Sequence, residues 1–113
     1  MHSVRETSIF TRRADALLTR DERDDLILTL SMDPRAGALI PGLGGIRKLR
    51  FAPEGRGKSG AFRIIYYLLD DDTPILALLL YGKNEQSNPT PEQQRRLLQA
   101  VQLLKQTARN RRH

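Results

Sequence analysis

The chain has 113 residues, enough for one domain with one core, and 39% of them are apolar with no Trp. Lys and Arg number 19 against 13 Asp and Glu, a net charge of +6 that suits an anionic partner such as nucleic acid, an acidic protein or a membrane surface. The absence of Cys excludes disulfides and thiolate chemistry and fits a reducing compartment. No apolar run approaches the roughly 18 residues of a membrane span, and the polar, mixed-charge N-terminus is unlike a secretory leader. The expectation is a single cytoplasmic domain over residues 1–113 with no membrane association.

In chain order, Thr7 to Arg12 contains Ile9 and Phe10 and reads as a short strand. Ala14, Leu17 and Leu18 have i, i+3, i+4 spacing and predict a short helix after it. Thr19 and Glu22 form a capping-box pattern, in which the hydroxyl takes an orphan amide and the carboxylate reaches back. A second helix is expected from Arg20 to Met32, and Pro34 ends it. Residues 33–45 hold Gly37, Pro41, Gly42, Gly44 and Gly45 and predict a loop.

Three strands are expected next, at Ile46–Phe51, Ala61–Leu69 and Pro74–Lys83. Asp70–Asp71–Asp72–Thr73 is short and polar enough to join the last two as a hairpin, so the sheet should be antiparallel. Thr90, Pro91 and Gln93 give another capping box, and Leu97, Val101, Leu104 and Ala108 recur at helical spacing. That helix is expected to cover the sheet.

Charge is concentrated between Arg47 and Arg63, where Arg47, Lys48, Arg50, Arg56, Lys58 and Arg63 face only Glu54. The Pro53–Gly60 loop has three glycines and can bring its backbone close to a ligand. Arg63 stands two residues into a strand and by period two shares a face with Ile65, Tyr67 and Leu69. An Arg among such neighbours needs partners: either a structural ion pair or a phosphate gripped by the planar guanidinium. The hairpin brings the start of one strand beside the end of the next, which makes Arg63 and Lys83 expected neighbours. Two cations held together without an acid are costly unless an anion lies between them, and this favours the phosphate reading.

Other chemistry lacks its residues. His2 and His113 are terminal, no carboxylate pair or His/Asp cluster suggests a metal site, and Gly42–Gly45 is not followed by the Lys-Ser/Thr of a P-loop. No cofactor is expected. The basic tail of Arg95, Arg96, Lys105, Arg109, Arg111 and Arg112 reads as a solvated helix end, with supplementary RNA or ribosome contact as the alternative.

Gly45-Ile-Arg-Lys-Leu-Arg50, Gly55-Arg-Gly-Lys-Ser-Gly60, Phe62-Arg-Ile-Ile-Tyr-Tyr67 and Tyr81-Gly-Lys-Asn-Glu85, in this order and spacing, resemble the RelE/ParE superfamily of bacterial toxins, and among them the HigB-like branch of RelE. The resemblance spans nearly the whole chain. It implies a compact α+β, microbial-RNase-like domain: a twisted, mainly antiparallel sheet with N-terminal helices and a C-terminal helix. It also implies a type II toxin–antitoxin toxin that cleaves mRNA on the ribosome, arrests growth and is restrained by an antitoxin. Such antitoxins often carry a helix-turn-helix domain, so operator DNA would be reached only through that partner.

By position, Arg56 and Lys58 match the family's basic catalytic loop, Arg63 its strand Arg and Lys83 its strand-end cation. Arg47, Lys48, Arg50 and Asn84 are expected to hold RNA. The chain departs from the best-known RelE pattern in having Asn84 where that branch has Arg, and no Tyr beyond Tyr81. The expected chemistry is metal-independent: the RNA 2′-OH attacks the adjacent phosphate and leaves a 2′,3′-cyclic phosphate. The competing readings are a ParE-like toxin that binds and poisons DNA gyrase without catalysis, and a basic RNA-binding module.

Overall fold

The structure, a computed structural model, describes residues 2–55, 60–82 and 84–111. The chain opens with a strand, β1 (Val4–Glu6), and then helix α1 (Ser8–Leu17). The segment read as a strand from Thr7 to Arg12 is therefore mostly helix. Two local facts outweigh the β-propensity of Ile9 and Phe10. The Thr7 hydroxyl accepts the Phe10 amide at 3.3 Å and caps the helix. Phe10 and Ala14, one turn apart, are both fully buried, whereas Ile9 lies 42% exposed, so the burial has a helical period.

Helix α2 (Arg20–Met32) has its expected bounds, and both halves of the capping box form: Glu22 N donates to Thr19 Oγ1 at 3.2 Å and Thr19 N to Glu22 Oε1 at 2.8 Å. The glycine-rich stretch that follows holds a two-residue strand, β2 (Ala38–Leu39), then β3 (Arg47–Phe51), β4 (Phe62–Tyr67), β5 (Ile75–Gly82) and helix α3 (Pro91–Arg111). The hairpin between β4 and β5 is tied by Asp70, whose carboxylate accepts the Asp72 amide at 2.9 Å and the Thr73 hydroxyl.

The five strands run in the order β1-β5-β4-β3-β2. Neighbours are antiparallel except β1, which adds to the edge of β5 in parallel, Val4 opposite Ile75. Between β4 and β5 the register shifts, from Tyr66 opposite Ala77 to Ile65 opposite Leu79, so Leu78 is an extra residue in β5.

Alternation along the strands splits the core in two. Phe62, Ile64, Tyr66, Ala77 and Leu80 face α1 and α2, where they meet Phe10, Ala14, Leu26 and Leu30. Ile65, Tyr67, Leu79 and Tyr81 face Leu97 and Val101 of α3, with Leu43 and Ile46 closing that side. The α+β expectation holds, with the N-terminal helices on one face of the sheet and the C-terminal helix on the other. Among the described residues, no helix is long and apolar enough to cross a membrane.

Candidate functional site

Arg63 is the second residue of β4. In register it lies between Arg50 of β3 and Tyr81 of β5, so the three side chains stand in a row on the α3 face. Placing Arg50 directly opposite Arg63 is a like-charge cross-strand pair, which destabilises a sheet. Arg63 Nη1 is buried and has no hydrogen-bond partner among the described residues. An unmatched charged donor costs more than the roughly 1–3 kcal/mol of a buried neutral one. Both features are relieved by one ligand class, an anion with several acceptor oxygens at this end of the sheet.

Tyr81 lines the same row. Burial pushes its hydroxyl up from its ordinary range, and the Arg63 charge pulls the other way, which places the phenol and the guanidinium within electrostatic reach. Its hydroxyl donates to the Ser87 carbonyl at 3.1 Å. In the sequence Tyr81 has a place in a motif but no role in the site, because its position beside Arg63 depends on the β4–β5 register.

The other expected residues divide. Arg50 is exposed and shares the row. Lys48 is on the same face two residues earlier, opposite Ile65, and its ammonium donates to the Ser87 carbonyl at 3.2 Å and to Asn88 Oδ1 at 2.8 Å. Arg47 faces the other way. It lies opposite Tyr66 and donates to the Gly37 carbonyl at 2.7 Å, while the Tyr66 hydroxyl accepts the Gly37 amide at 2.8 Å. Arg47 thus ties down the loop after α2 and is not brought to Arg63. Burial raises the Tyr66 hydroxyl, opposed first by the Gly37 amide. Asn84 is exposed, just past the end of β5. Arg56, Lys58 and Lys83 lie outside the described residues, as does the expected approach of Lys83 to Arg63.

The turn after β5 is held by a residue that the sequence reading left without a role. Glu85 accepts the Gly82 amide at 2.9 Å and both close contacts of Arg13 Nη2, each 2.5 Å; Arg13 Nε also donates to the Leu80 carbonyl at 3.0 Å. The Arg13 hydrogen bond, and then the Gly82 amide, hold the Glu85 carboxyl below its ordinary range. Among the described residues no three His, Asp or Glu side chains gather as a metal site would require.

No family model matches the sequence. Among solved structures the chain is similar to the Escherichia coli toxin RelE, in the free state of a double Arg-to-Ala mutant. The TM-score is 0.53 and the identity 17%, over 74% of this chain and 84% of that one. At this identity the likeness is one of fold: the sheet with its flanking helices is RelE-like.

Proposed function

We propose that this protein is the toxin of a type II toxin–antitoxin system, of the RelE kind with HigB-like sequence motifs, and that it cleaves mRNA on the ribosome. The observation that carries the reading is Arg63: a buried guanidinium nitrogen without an acceptor among the described residues, faced by a second Arg, on a RelE-like fold. A phosphate satisfies both. The four ordered motifs described above support the same reading.

In this mechanism the RNA 2′-oxygen attacks the adjacent phosphorus as it loses its proton. The P–O5′ bond breaks, the 5′-oxygen leaves with a proton, and a 2′,3′-cyclic phosphate remains. Arg63 meets the charge that develops on the non-bridging oxygens, an interaction worth about 2.7–4 kcal/mol for one well-placed donor. Arg56, Lys58 and Lys83 are the proposed proton-handling and charge-stabilising partners, and Arg50 and Asn84 hold the RNA backbone. The ribosome supplies orientation, which lets so sparse a site act. An antitoxin restrains the toxin in the cell.

Mapping mRNA 5′ ends after brief induction tests the reading. The parent should give new ends in register with codons, and Arg63→Ala should give none while remaining folded. Intact mRNA together with a DNA-damage response would replace this reading with a ParE-like gyrase poison.

A further inference from the structure

Segment 84–90 leaves β5 and is tied down at each step. Its start is held by Glu85, through Arg13 and the Gly82 amide. Its middle is held from two strands at once. Lys48 of β3 and Tyr81 of β5 both donate to the Ser87 carbonyl, at 3.2 and 3.1 Å, and Lys48 also reaches Asn88 Oδ1 at 2.8 Å. Its end is tied to the first turn of α3. Gln86 Nε2 donates to Gln93 Oε1 at 2.8 Å, and Gln94 Nε2 to the Pro89 carbonyl at 3.0 Å. Pro89 is buried.

Strands β3 and β5 are separated by β4, about 9–10 Å in all. Side chains from both can meet on one carbonyl only by leaning over the strand between them. The residues of β4 beneath that bridge, on that face, are Ile65 and Arg63. Arg63, whose Nη1 is buried and meets no acceptor among the described residues, is on the strand that this bridge crosses, directly beside Tyr81.

We propose that Lys48 and Tyr81 are positioning residues: they close segment 84–90 as a strap over β4 and hold the Arg63 guanidinium toward the rim, ready for a phosphate. The functional half of this rests on the RNA-cleavage reading above; the geometric half does not. Lys48 then serves the site without touching the RNA, in contrast to the backbone-holding role its sequence position suggested.

The test uses the full chain and phenylglyoxal, a dicarbonyl that modifies accessible guanidinium groups, with the modified peptides quantified by mass spectrometry. In the parent, Arg50 should react and Arg63 should be slow. In Lys48→Met/Tyr81→Phe, Arg63 should react about fivefold faster, the weight of roughly one hydrogen bond, with Arg50 unchanged. Lys48→Arg, which can still donate to Ser87, should keep the slow rate. In translation-coupled cleavage the double variant should lose about tenfold in kcat with KM nearly unchanged, and should add nothing to the loss in Arg63→Ala.

An unchanged Arg63 rate in a folded double variant overturns the strap. So does a cleavage loss that adds to that of Arg63→Ala. If the double variant does not fold, Lys48→Met alone decides, since Lys48 is only partly buried; it too must speed Arg63. If the parent cuts no mRNA, the cleavage reading fails, and the dicarbonyl rates still decide the strap.

Discussion

Arg23 and Arg63 present the same group from the same small fold, and they stand at opposite ends of satisfaction. Arg23, on α2, donates through Nε to Glu6 Oε2 at 3.1 Å, through Nη2 to Glu6 Oε1 and through Nη1 to Asp15. Glu6 also accepts the Thr11 hydroxyl at 2.7 Å, so β1, α1 and α2 are joined at one carboxylate. Hydrogen bonding to Glu6 raises the Arg23 guanidinium further above its already high range. Arg63, on β4, has Arg50 across one strand boundary and a buried nitrogen with no acceptor among the described residues. A matched cation in this protein joins elements. An unmatched one is where the proposed function puts the phosphate.

That contrast breaks most decisively at Arg63. Arg63→Ala should lower mRNA cleavage by about 10²–10³ in kcat, the usual loss for one transition-state donor. Its Tm should hold or rise, because a like-charge pair worth up to roughly 1 kcal/mol disappears. Loss of folding instead would put Arg63 with Arg23 as a structural residue. Denaturant unfolding of Arg23→Ala gives the converse case. Removing charge-assisted bonds to a mostly buried carboxylate should cost about 1.5–3 kcal/mol, while cleavage per folded molecule stays at the parent value.

Acid sharpens the same division. Burial raises the Glu6 carboxyl, but the bonds from Arg23 and Thr11 together outweigh it, and the net value lies below the ordinary 4.5. A carboxyl depressed on folding stabilises the native state fully above its unfolded value. That contribution fades as pH falls through the lower folded value. The stability gap between parent and Glu6→Gln should therefore be constant from neutrality down to about pH 5 and close below it. A gap that widened in acid would mean that Glu6 is not held as its carboxylate. The smallest effect concerns the start of α1: Thr7→Ala removes the cap on Phe10 and a 3.1 Å bond to the Leu78 carbonyl, and should cost about 1 kcal/mol by thermal unfolding.

Elements with local signals were legible in the sequence. Helix α2 carries its start in Thr19 and Glu22 and its stop before Pro34. The Thr90–Gln93 box starts α3 in the same way, with reciprocal bonds of 2.9 and 3.2 Å. The three long strands were legible from β-branched and aromatic runs. What failed was non-local. Val4–Glu6 is a strand because the far edge of β5 pairs with it, and Ala38–Leu39 because β3 does. The pair Ile9–Phe10 carries β-propensity, and a Thr7 cap visible only by its partner amide turned it into helix.

The site shows the same limit. Arg63 could be placed on a strand face by counting in twos. Its neighbours Arg50 and Tyr81 could not, because they follow from two registers. Arg47 and Lys48 are adjacent in sequence and looked equivalent, yet alternation sends them to opposite faces of the sheet. The destination of Lys48, some 40 residues further along at Asn88, depends on the path of a loop.

The extra residue in β5 makes that strand sensitive to register in a way its composition conceals. Ile75 to Tyr81 is apolar almost throughout, so the run tolerates either parity as far as hydrophobicity is concerned. Leu78 sets the phase. Before it, Ala77 faces α1 and α2; after it, Leu79 and Tyr81 face α3, which an unbroken alternation would forbid. Deleting Leu78 would remove the bulge and leave Leu79, Leu80 and Tyr81 on the sides they have. Keeping Leu78 but pairing it in step would instead send every residue from 79 onward to the other side, and Tyr81 would be carried away from Arg63 although neither residue had been altered. In this strand the bulge acts as a frameshift written in geometry, and a chain that lost it while keeping its length would lose its site while keeping every side chain of that site.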